Sequence, residues 1–392
     1  MTEQVTPGLK RLGLLAGIAL LAVACTSGGA SPSAPAASEP AASEPAASES
    51  AAPSESAAGS GSYRIGYSNG GGVGNGFREE QVCTAKAEAL ASGQVTELIT
   101  IHRNTDAAGQ LQDIRDLVAA GVDAIVFNPN DPDALIPALE EAKAAGITTV
   151  SVDAFTNHAD SYNLYNNQEE YAYLGAKWLF EQLGGQGNVW YTRGIAGHPA
   201  DTDRHTGFQR ALAENPGITV VPGPEGVHTD WDPAKATTIA NDFISSGGYD
   251  GVQGIWTSGM DSQVVDAVKA AGKPFVPIVG ADLGAFVTQL LNEQGLSGAA
   301  VTNTAAVGGA GVGLALKLLN GETVETAPDA PKPNTVLLDP VLADNVSDDG
   351  KATLQSWQVD GLDPLWPLGL EIEGFTTYTP EQAVACKGPG EA

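Results

Sequence analysis

VDAIVFNPNDPDALIPALEEAKAAGITTVSVD, residues 122–153, is the stretch that decides the fold. An apolar run at 123–127 predicts a buried strand, and the leucine- and alanine-rich segment 132–145 predicts a helix. Asp131 is a suitable N-cap for that helix, Gly146 ends it, and a second apolar run at 148–152 predicts the next strand. A strand, a helix and another strand of these lengths form the repeating unit of a parallel sheet.

The same alternation continues on both sides of this stretch. Further strands are predicted at 64–68, 98–101, 188–192, 218–221, 252–256, 276–280 and 299–302. Further helices are predicted at 77–92, 107–120, 169–182, 203–213, 233–246, 262–271, 286–293 and 308–319. The sequence therefore predicts an α/β protein with two doubly wound parallel-sheet lobes, and the length beyond residue 63 suits two domains.

The N-terminal residues predict a targeting signal. Lys10 and Arg11 precede an apolar run over 12–24 that is shorter than the ~20 residues needed to span a bilayer. Residues 1–24 therefore read as a secretory signal peptide. The segment LAVAC, 21–25, resembles the lipobox of bacterial lipoproteins, which implies that Cys25 becomes the lipidated first residue of the mature chain. The alternative is an ordinary signal cleaved near Ala24, with Cys25 incidental.

Residues 25–62 predict a disordered tether, because after the cysteine they contain only Ser, Ala, Pro, Glu, Gly and one Thr. The whole chain has a formal net charge of -28. Such a body should be repelled by nucleic acid and by anionic lipid surfaces, so we expect no nucleic-acid partner and a membrane attachment through lipid alone. A neutral ligand suits this field better than an anionic one.

The cysteine and histidine patterns give no catalytic or metal motif. There is no Cys-x-x-Cys and no His-Glu-x-x-His, so no metal site, cofactor or enzymatic centre is predicted. His198 and His205 flank the expected cleft and are interpreted as surface or supporting residues. Cys83 and Cys386 are a candidate disulfide in an oxidising compartment, with two separately buried thiols as the alternative.

Polar and aromatic side chains recur just after the predicted strands, where ligands bind in doubly wound sheets. Carboxylates and amides can hold neighbouring hydroxyls, arginine presents a fork of donors, and aromatic faces suit the apolar faces of a sugar ring. The group predicts a site for a neutral polyhydroxylated molecule. The candidate ligand-binding residues are Asn75, Phe77, Arg78, Asn128, Asp153, Arg204, Trp231, Trp256, Ser258, Asp282 and Asn303.

From about Tyr63 to Glu322 the chain resembles the type I periplasmic sugar-binding proteins, the ribose- and galactose-binding-like receptors of ABC importers. The matching stretches are VDAIVFNP (122–129), TVSVD (149–153), GIAG (194–197) with Arg204 and Gly207-Phe208, and IVGAD (278–282). The resemblance implies sugar-hydroxyl contacts from Asn128, Asp153, Arg204 and Asp282, and aromatic contacts from Phe77 and Trp231. Arg78 matches a ligand-binding arginine found in some members.

The chain departs from that family pattern in places that concern ligand identity. Ala154 stands where many members have an arginine after the aspartate, and Thr257-Ser258-Gly259 stands where an Asn-Asp pair is common. A Gln or Asn is expected near Thr302-Asn303, and either residue could align with it.

The resemblance also implies a division into discontinuous lobes joined by a hinge that closes over the ligand. We expect an N-terminal lobe of 63–165 plus about 303–330, and a C-terminal lobe of 166–302 plus about 331–392. A monomeric, lipid-anchored receptor outside the cytoplasm would deliver a sugar or polyol to an ABC permease and its ATPase. The alternatives are a receptor for a chemoreceptor or sensor kinase, and an extracellular glycoside-processing enzyme that uses Asp153 and Asp282.

Overall fold

The computed structural model describes residues 62–328 and 330–391. The predicted signal peptide (1–24), Cys25 and the tether as far as residue 61 lie outside the described residues. Within the described ranges, no helix has the length and apolar character needed to cross a membrane.

Strands and helices alternate along most of the described chain. The strands are β1 (Tyr63–Asn69), β2 (Val95–His102), β3 (Ala124–Asn128), β4 (Thr148–Val152), β5 (Tyr162–Asn166), β6 (Gln186–Arg193), β7 (Gly217–Val221), β8 (Val227–His228), β9 (Gly254–Trp256), β10 (Ile278–Ala281), β11 (Gly298–Val301), β12 (Thr335–Leu338) and β13 (Leu342–Asp344). The helices are α1 (Gly76–Ala91), α2 (Ala107–Ala120), α3 (Ile136–Ala144), α4 (Gln168–Gln182), α5 (Pro199–Glu214), α6 (Pro233–Ser245), α7 (Asp261–Ala270), α8 (Gly284–Asn292), α9 (Val307–Leu319), α10 (Asp348–Ser356) and α11 (Pro380–Ala385).

The first lobe is built on a parallel sheet of order β12-β5-β4-β3-β1-β2. Its strands are apolar on both faces because helices cover both sides. In β3, Val126 packs with residues of α1 and α9, whereas Ile125 and Phe127 pack with residues of α2 and α3. This alternation follows the two-residue period of a strand and places a core on each side of the sheet.

The second lobe is built on a sheet of order β13-β11-β10-β9-β6-β7, with β8 paired to β6. Its pairings are parallel except for the antiparallel edge strand β13. The expected architecture of two doubly wound lobes is therefore confirmed. The carboxyl ends of β1 and β4 in one sheet and of β6, β9 and β10 in the other lead into the cleft described below.

Several local expectations need correction. Helix α3 begins at Ile136 rather than at residue 132, because Asp131 Oδ1 accepts from the backbone N–H groups of Asp133 and Ala134 and forms a turn there. Strands β5, β8, β12 and β13 and helices α10 and α11 were not predicted. Because β12 pairs with β5, residues up to Leu338 belong to the first sheet, and the last crossing lies near residue 340 rather than 330.

The C-terminal tail, residues 361–391, touches both lobes instead of belonging to the second lobe alone. It meets the second lobe through backbone bonds from Gly284 and Ala285. It returns to α1 of the first lobe, where Glu88 accepts from Thr377 and a disulfide joins Cys83 to Cys386. The tail is therefore a strap that runs from one lobe to the other.

Removing this disulfide should destabilise the protein and free the strap. The bond closes a loop with a sequence separation of 303 residues, and loss of such a cross-link lowers the free energy of unfolding by roughly 2–5 kcal/mol. The Cys83→Ser/Cys386→Ser variant should show this loss in urea unfolding and faster proteolysis of the tail. Reductant should shift the wild type toward the variant and leave the variant unchanged. Equal stability of the two proteins would contradict the cross-link's role.

Candidate functional site

Loops from both lobes, together with the strap, enclose a cleft of about 910 Å³, counting the space that is open to solvent. Eight of the predicted ligand-binding residues line it: Asn75, Phe77, Arg78, Asp153, Arg204, Trp231, Ser258 and Asn303. The sequence left Thr302 and Asn303 as alternatives. Asn303 faces the cleft, whereas the Thr302 hydroxyl accepts from the backbone N–H of Val341.

The other three candidates are Asn128, Trp256 and Asp282, and all are buried behind the cleft wall. The Asn128 amide donates to Asp153 Oδ2 at 3.2 Å. Trp256 packs edge-on against Tyr171 and Phe208 in the second core. Within the described residues, Asn128 Oδ1 and Asp282 Oδ2 have no hydrogen-bond partner. Ligand contact by these three residues stays a prediction.

Asp153 lies at the base of the cleft on the first lobe, directly after β4. Its backbone has a φ of 69°, a conformation that Asp and Asn tolerate better than most residues. Oδ1 accepts from Asn166 Nδ2 at 3.0 Å and from Gln168 Nε2 at 2.8 Å. With the Asn128 bond, three amides hold the carboxylate, which satisfies the need of a buried charge for partners.

Arg204 lies opposite, on α5 of the second lobe, and is only 4% exposed. Its Nε donates to Gln168 Oε1 at 2.7 Å, and Nη1 donates to the carbonyl and hydroxyl of Ser258, each at 3.2 Å. The guanidinium lies over the Tyr171 ring, 4.2 Å from its centroid. These contacts fix the planar donor group in one orientation, as bidentate recognition of hydroxyls or carboxylates requires.

The Gln168 amide connects these two charged groups, and sequence reasoning missed it. Its Nε2 donates to Asp153 and to Asn303 Oδ1, and its Oε1 accepts from Arg204. Gln168 opens α4 directly after the crossing between the lobes. Gln168 was missed because strand β5 was not predicted. Gln168 lies just beyond the carboxyl end of that strand, where ligand-site residues are expected.

Aromatic side chains line the cleft on both lobes. Phe77 stands at the start of α1, and Trp231 stands in the loop before α6. The Trp231 indole donates to the Ser258 carbonyl at 2.6 Å. Gly194 lies so close to this indole that any Cβ there would overlap it, so a glycine is required for the ring to occupy its position.

Two polar contacts cross the cleft, which identifies this arrangement as the closed one. Asn75 Nδ2 donates to the Trp231 carbonyl at 3.0 Å, and Arg78 Nη2 lies 3.1 Å from His198 Nε2. Burial, followed by the nearby Arg78 and Arg204, lowers the pKa of His198 well below its usual value. The neutral imidazole has a single acceptor nitrogen, so either Nδ1 accepts from the Ala200 backbone N–H or Nε2 accepts from Arg78. His198 therefore forms part of the cleft wall, although the sequence suggested a surface or supporting role.

Asp282 positions Asn303 from behind the wall. Its Oδ1 accepts from the Asn303 backbone N–H at 2.9 Å, and its carbonyl accepts from Leu368 of the strap. Burial raises the pKa of Asp282 to about 6. Burial, and then the Asp282 carboxylate, raise the pKa of the buried Glu80 well above its usual range.

Asn130 and Asp230 also line the cleft, and the wall has an apolar part that was missed by sequence reasoning. Its apolar residues include Ile195, Met260, Leu283, Leu365 and Pro367. Leu365 and Pro367 belong to the strap, whose path depends on tertiary contacts and on the disulfide. Apolar residues beside a few fixed polar groups are the usual lining of a small-molecule pocket.

Comparison with known proteins agrees with this architecture. A relative from Mycolicibacterium smegmatis, a xylitol-binding protein, is 29% identical over 246 residues, covering 62% of this chain and 69% of the relative. The ribose import binding protein of Bacillus subtilis is 23% identical over 247 residues, covering 62% of this chain and 78% of that protein.

Solved structures superpose on most of the chain. An ABC transporter solute binding protein from Mycobacterium smegmatis with bound glycerol matches with a TM-score of 0.65 and 25% identity, covering 78% of this chain and 99% of that one. One from Thermobispora bispora matches with a TM-score of 0.66 and 25% identity, covering 78% and 90%.

The family model for the periplasmic binding protein domain matches residues 65–323, a range that holds both sheets except β1's first two residues, β12 and β13. The two sheets, parallel except for β13, and the cleft at their carboxyl ends agree with this match. The chain belongs to the periplasmic binding protein family.

Proposed function

We propose that the protein is the extracytoplasmic receptor of an ABC importer and captures a monosaccharide or a related polyol in the cleft between its lobes. The observation that carries the proposal is the pairing of Asp153 and Arg204 through Gln168 between aromatic residues on opposite lobes. A fixed carboxylate and a fixed guanidinium offer an acceptor and a donor to the same hydroxylated ligand.

The ligand class follows from the balance of groups in the cleft. The charged groups of the cleft already have partners in the protein: Arg78 donates to Asn69, and Arg204 and Asp153 are both bonded to Gln168. Because these charges are already compensated, a ligand need not carry a charge of its own to bind beside them. Relatives named for xylitol and ribose, and a neighbour with bound glycerol, support neutral polyhydroxylated ligands of small size. Ala154 removes a cation that many sugar receptors carry, which favours a ligand with fewer polar contacts on the first lobe.

The enzymatic alternative is weakened by the position of Asp282. A glycosidase needs two carboxyl groups that both reach the substrate. Asp153 lines the cleft, but Asp282 is fully buried and is absent from the cleft lining. Its Oδ1 accepts from the Asn303 backbone N–H, and its Oδ2 has no hydrogen-bond partner among the described residues. We therefore propose binding without catalysis, and delivery of the ligand to a membrane permease powered by its ATPase.

We also propose that the receptor works as a monomer held by lipid on Cys25 to the outer face of the cell membrane. The lipobox-like LAVAC segment and the tether that follows it support this arrangement. An anchor of this kind keeps an acidic receptor near its permease even though its charge is repelled by anionic lipid.

A thermal-shift screen of the purified protein against pentoses, hexoses and linear polyols tests the function directly. A ligand that binds the native state at about 100 times its Kd should stabilise it by about 2.7 kcal/mol, seen as a rise in Tm of a few degrees. Charged analogues such as sugar phosphates are the control and should give no shift. Failure of every neutral sugar and polyol to raise the Tm would contradict the proposal.

Replacing Asp153 with Asn should weaken binding of the identified ligand by about 10- to 100-fold, because one charged hydrogen bond contributes about 1.5–3 kcal/mol. Asn retains the capacity for positive φ, so the turn should survive. Titration calorimetry measures the change. The matched control is Asp250→Asn, which removes an exposed carboxylate paired with Lys273 and should leave affinity unaltered. Equal affinities in the two variants would refute the assignment of Asp153.

Replacing Cys25 with Ala should release the protein from the membrane. Without a thiol at the lipobox-like position no acyl chains can be attached, and the surface charge provides no attraction of its own. Fractionation of cells that express the wild type or the variant checks this, with the Cys83→Ser/Cys386→Ser variant as the control for cysteine loss. Retention of Cys25→Ala in the membrane fraction would exclude the lipid anchor.

A further inference from the structure

A second cluster of polar side chains lies in the first lobe, apart from the cleft. It consists of Glu140 on α3 and of His158 and Asp160 in the loop between β4 and β5. One potential ligand atom from each lies within 4.8 Å of the other two. None of the three residues lines the cleft. The cluster therefore needs an explanation of its own.

His158 is the informative member because its ring is buried while one nitrogen is left without a bond. The residue is 3% exposed, and its Nε2 makes no hydrogen bond within residues 62–328 and 330–391. That nitrogen lies 3.4 Å from Glu140 Oε1, outside the geometry of a hydrogen bond. Buried polar atoms almost always have a partner, so this vacant nitrogen points to one.

The other ring nitrogen is held in place from behind. Nδ1 lies 2.8 Å from Ser161 Oγ, which in turn lies 2.6 Å from Thr149 Oγ1. Ser161 can accept from Nδ1–H while it donates to Thr149, and the Nε2 lone pair then faces the two carboxylates. A metal-bound histidine usually donates its other ring N–H to a carboxylate, a backbone carbonyl or water, and here the Ser161 hydroxyl takes that place.

The donor set suits a borderline divalent cation. One imidazole nitrogen and two carboxylate oxygens are ligands that Zn²⁺ accepts at about 2.0–2.2 Å, which separates neighbouring ligand atoms of a tetrahedral site by roughly 3.3 Å. The Nε2–Oε1 distance of 3.4 Å matches that separation. Mg²⁺ and Ca²⁺ favour sites made of oxygen alone, so the imidazole selects against them.

We propose that Glu140, His158 and Asp160 bind Zn²⁺, or a divalent cation of similar chemistry, with water completing the coordination. The two carboxylates are exposed and can adjust around an ion, whereas the imidazole is fixed. The bound ion would join α3 to the loop that begins with Asp153 at the cleft. This function is separate from ligand capture.

Lys143 gives the proposal a distinctive test. Its ammonium lies 2.6 Å from Asp160 Oδ2 and competes with a cation for that carboxylate. Because Lys143 is itself exposed, it can move away when an ion binds. Removal of this competitor should strengthen cation binding, an effect opposite to that of removing a ligand.

The experiment uses the purified, tag-free protein after treatment with EDTA, titrated with ZnCl₂ by calorimetry and followed by Tm. The wild type should bind one Zn²⁺ per chain in the strongest phase and rise in Tm, and MgCl₂ should do neither. Glu140→Gln and Asp160→Asn should each weaken the apparent Kd by about tenfold or more. Lys143→Met should tighten it.

The matched control is Glu141→Gln, which makes the same change on the same helix at a residue paired with Arg115. It should bind Zn²⁺ like the wild type. Three results would overturn the proposal: no saturable Zn²⁺ binding by the wild type, equal affinity in Glu140→Gln and Glu141→Gln, or no tightening in Lys143→Met. If Zn²⁺ did not bind, or if Glu140→Gln had no specific effect, the contact between His158 and Glu140 would be an ion pair and not part of a metal site. All four altered side chains are exposed, so misfolding is not expected to obscure the comparison.

Discussion

The geometry of the closed protein depends on the Gln168 amide, which joins a carboxylate of one lobe to a guanidinium of the other. Asp153 and Arg204 are each 4% exposed, and buried charges require compensation. An amide can donate to the acid and accept from the base at once, so both ions are satisfied without direct contact. Asp153 and Arg204 also line the cleft, so both remain accessible to a hydroxylated ligand there.

The sequence predicted the fold well because its local patterns and its tertiary architecture agree. Strands such as β3 are apolar on both faces, and each is followed by a helix with a clear end such as Gly121 or Gly146. The elements missed were short or polar: β5 carries two asparagines, and β12 and β13 have only four and three residues. Their strand conformation depends on neighbours distant in sequence, so local periodicity alone does not reveal them.

The site was predicted in part, for a related physical reason. Residues that directly follow strands, such as Asp153 and Ser258, reach the cleft because parallel strands end at the same edge. The same rule does not distinguish a residue in the wall from one behind it, and Asp282 and Trp256 lie behind. His198 lines the cleft at the N-terminus of a helix, and Leu365 lines it as part of the strap. Neither residue directly follows a strand, so the rule that ligands bind at strand ends does not predict them.

The hydrogen bonds near the cleft fall into two groups, those that can persist when the lobes open and those that must break. The bonds of Gln168 and Asn166 lie beside the chain crossings, where a hinge rotation displaces atoms least, so they can persist in both states. The contacts of Asn75 with Trp231 and of Arg78 with His198 lie across the cleft and must break when it opens. Each involves a group that water can satisfy in the open state, so the closed state gains little from them alone. The ligand, which touches both lobes only when they are closed, supplies the remaining difference in free energy.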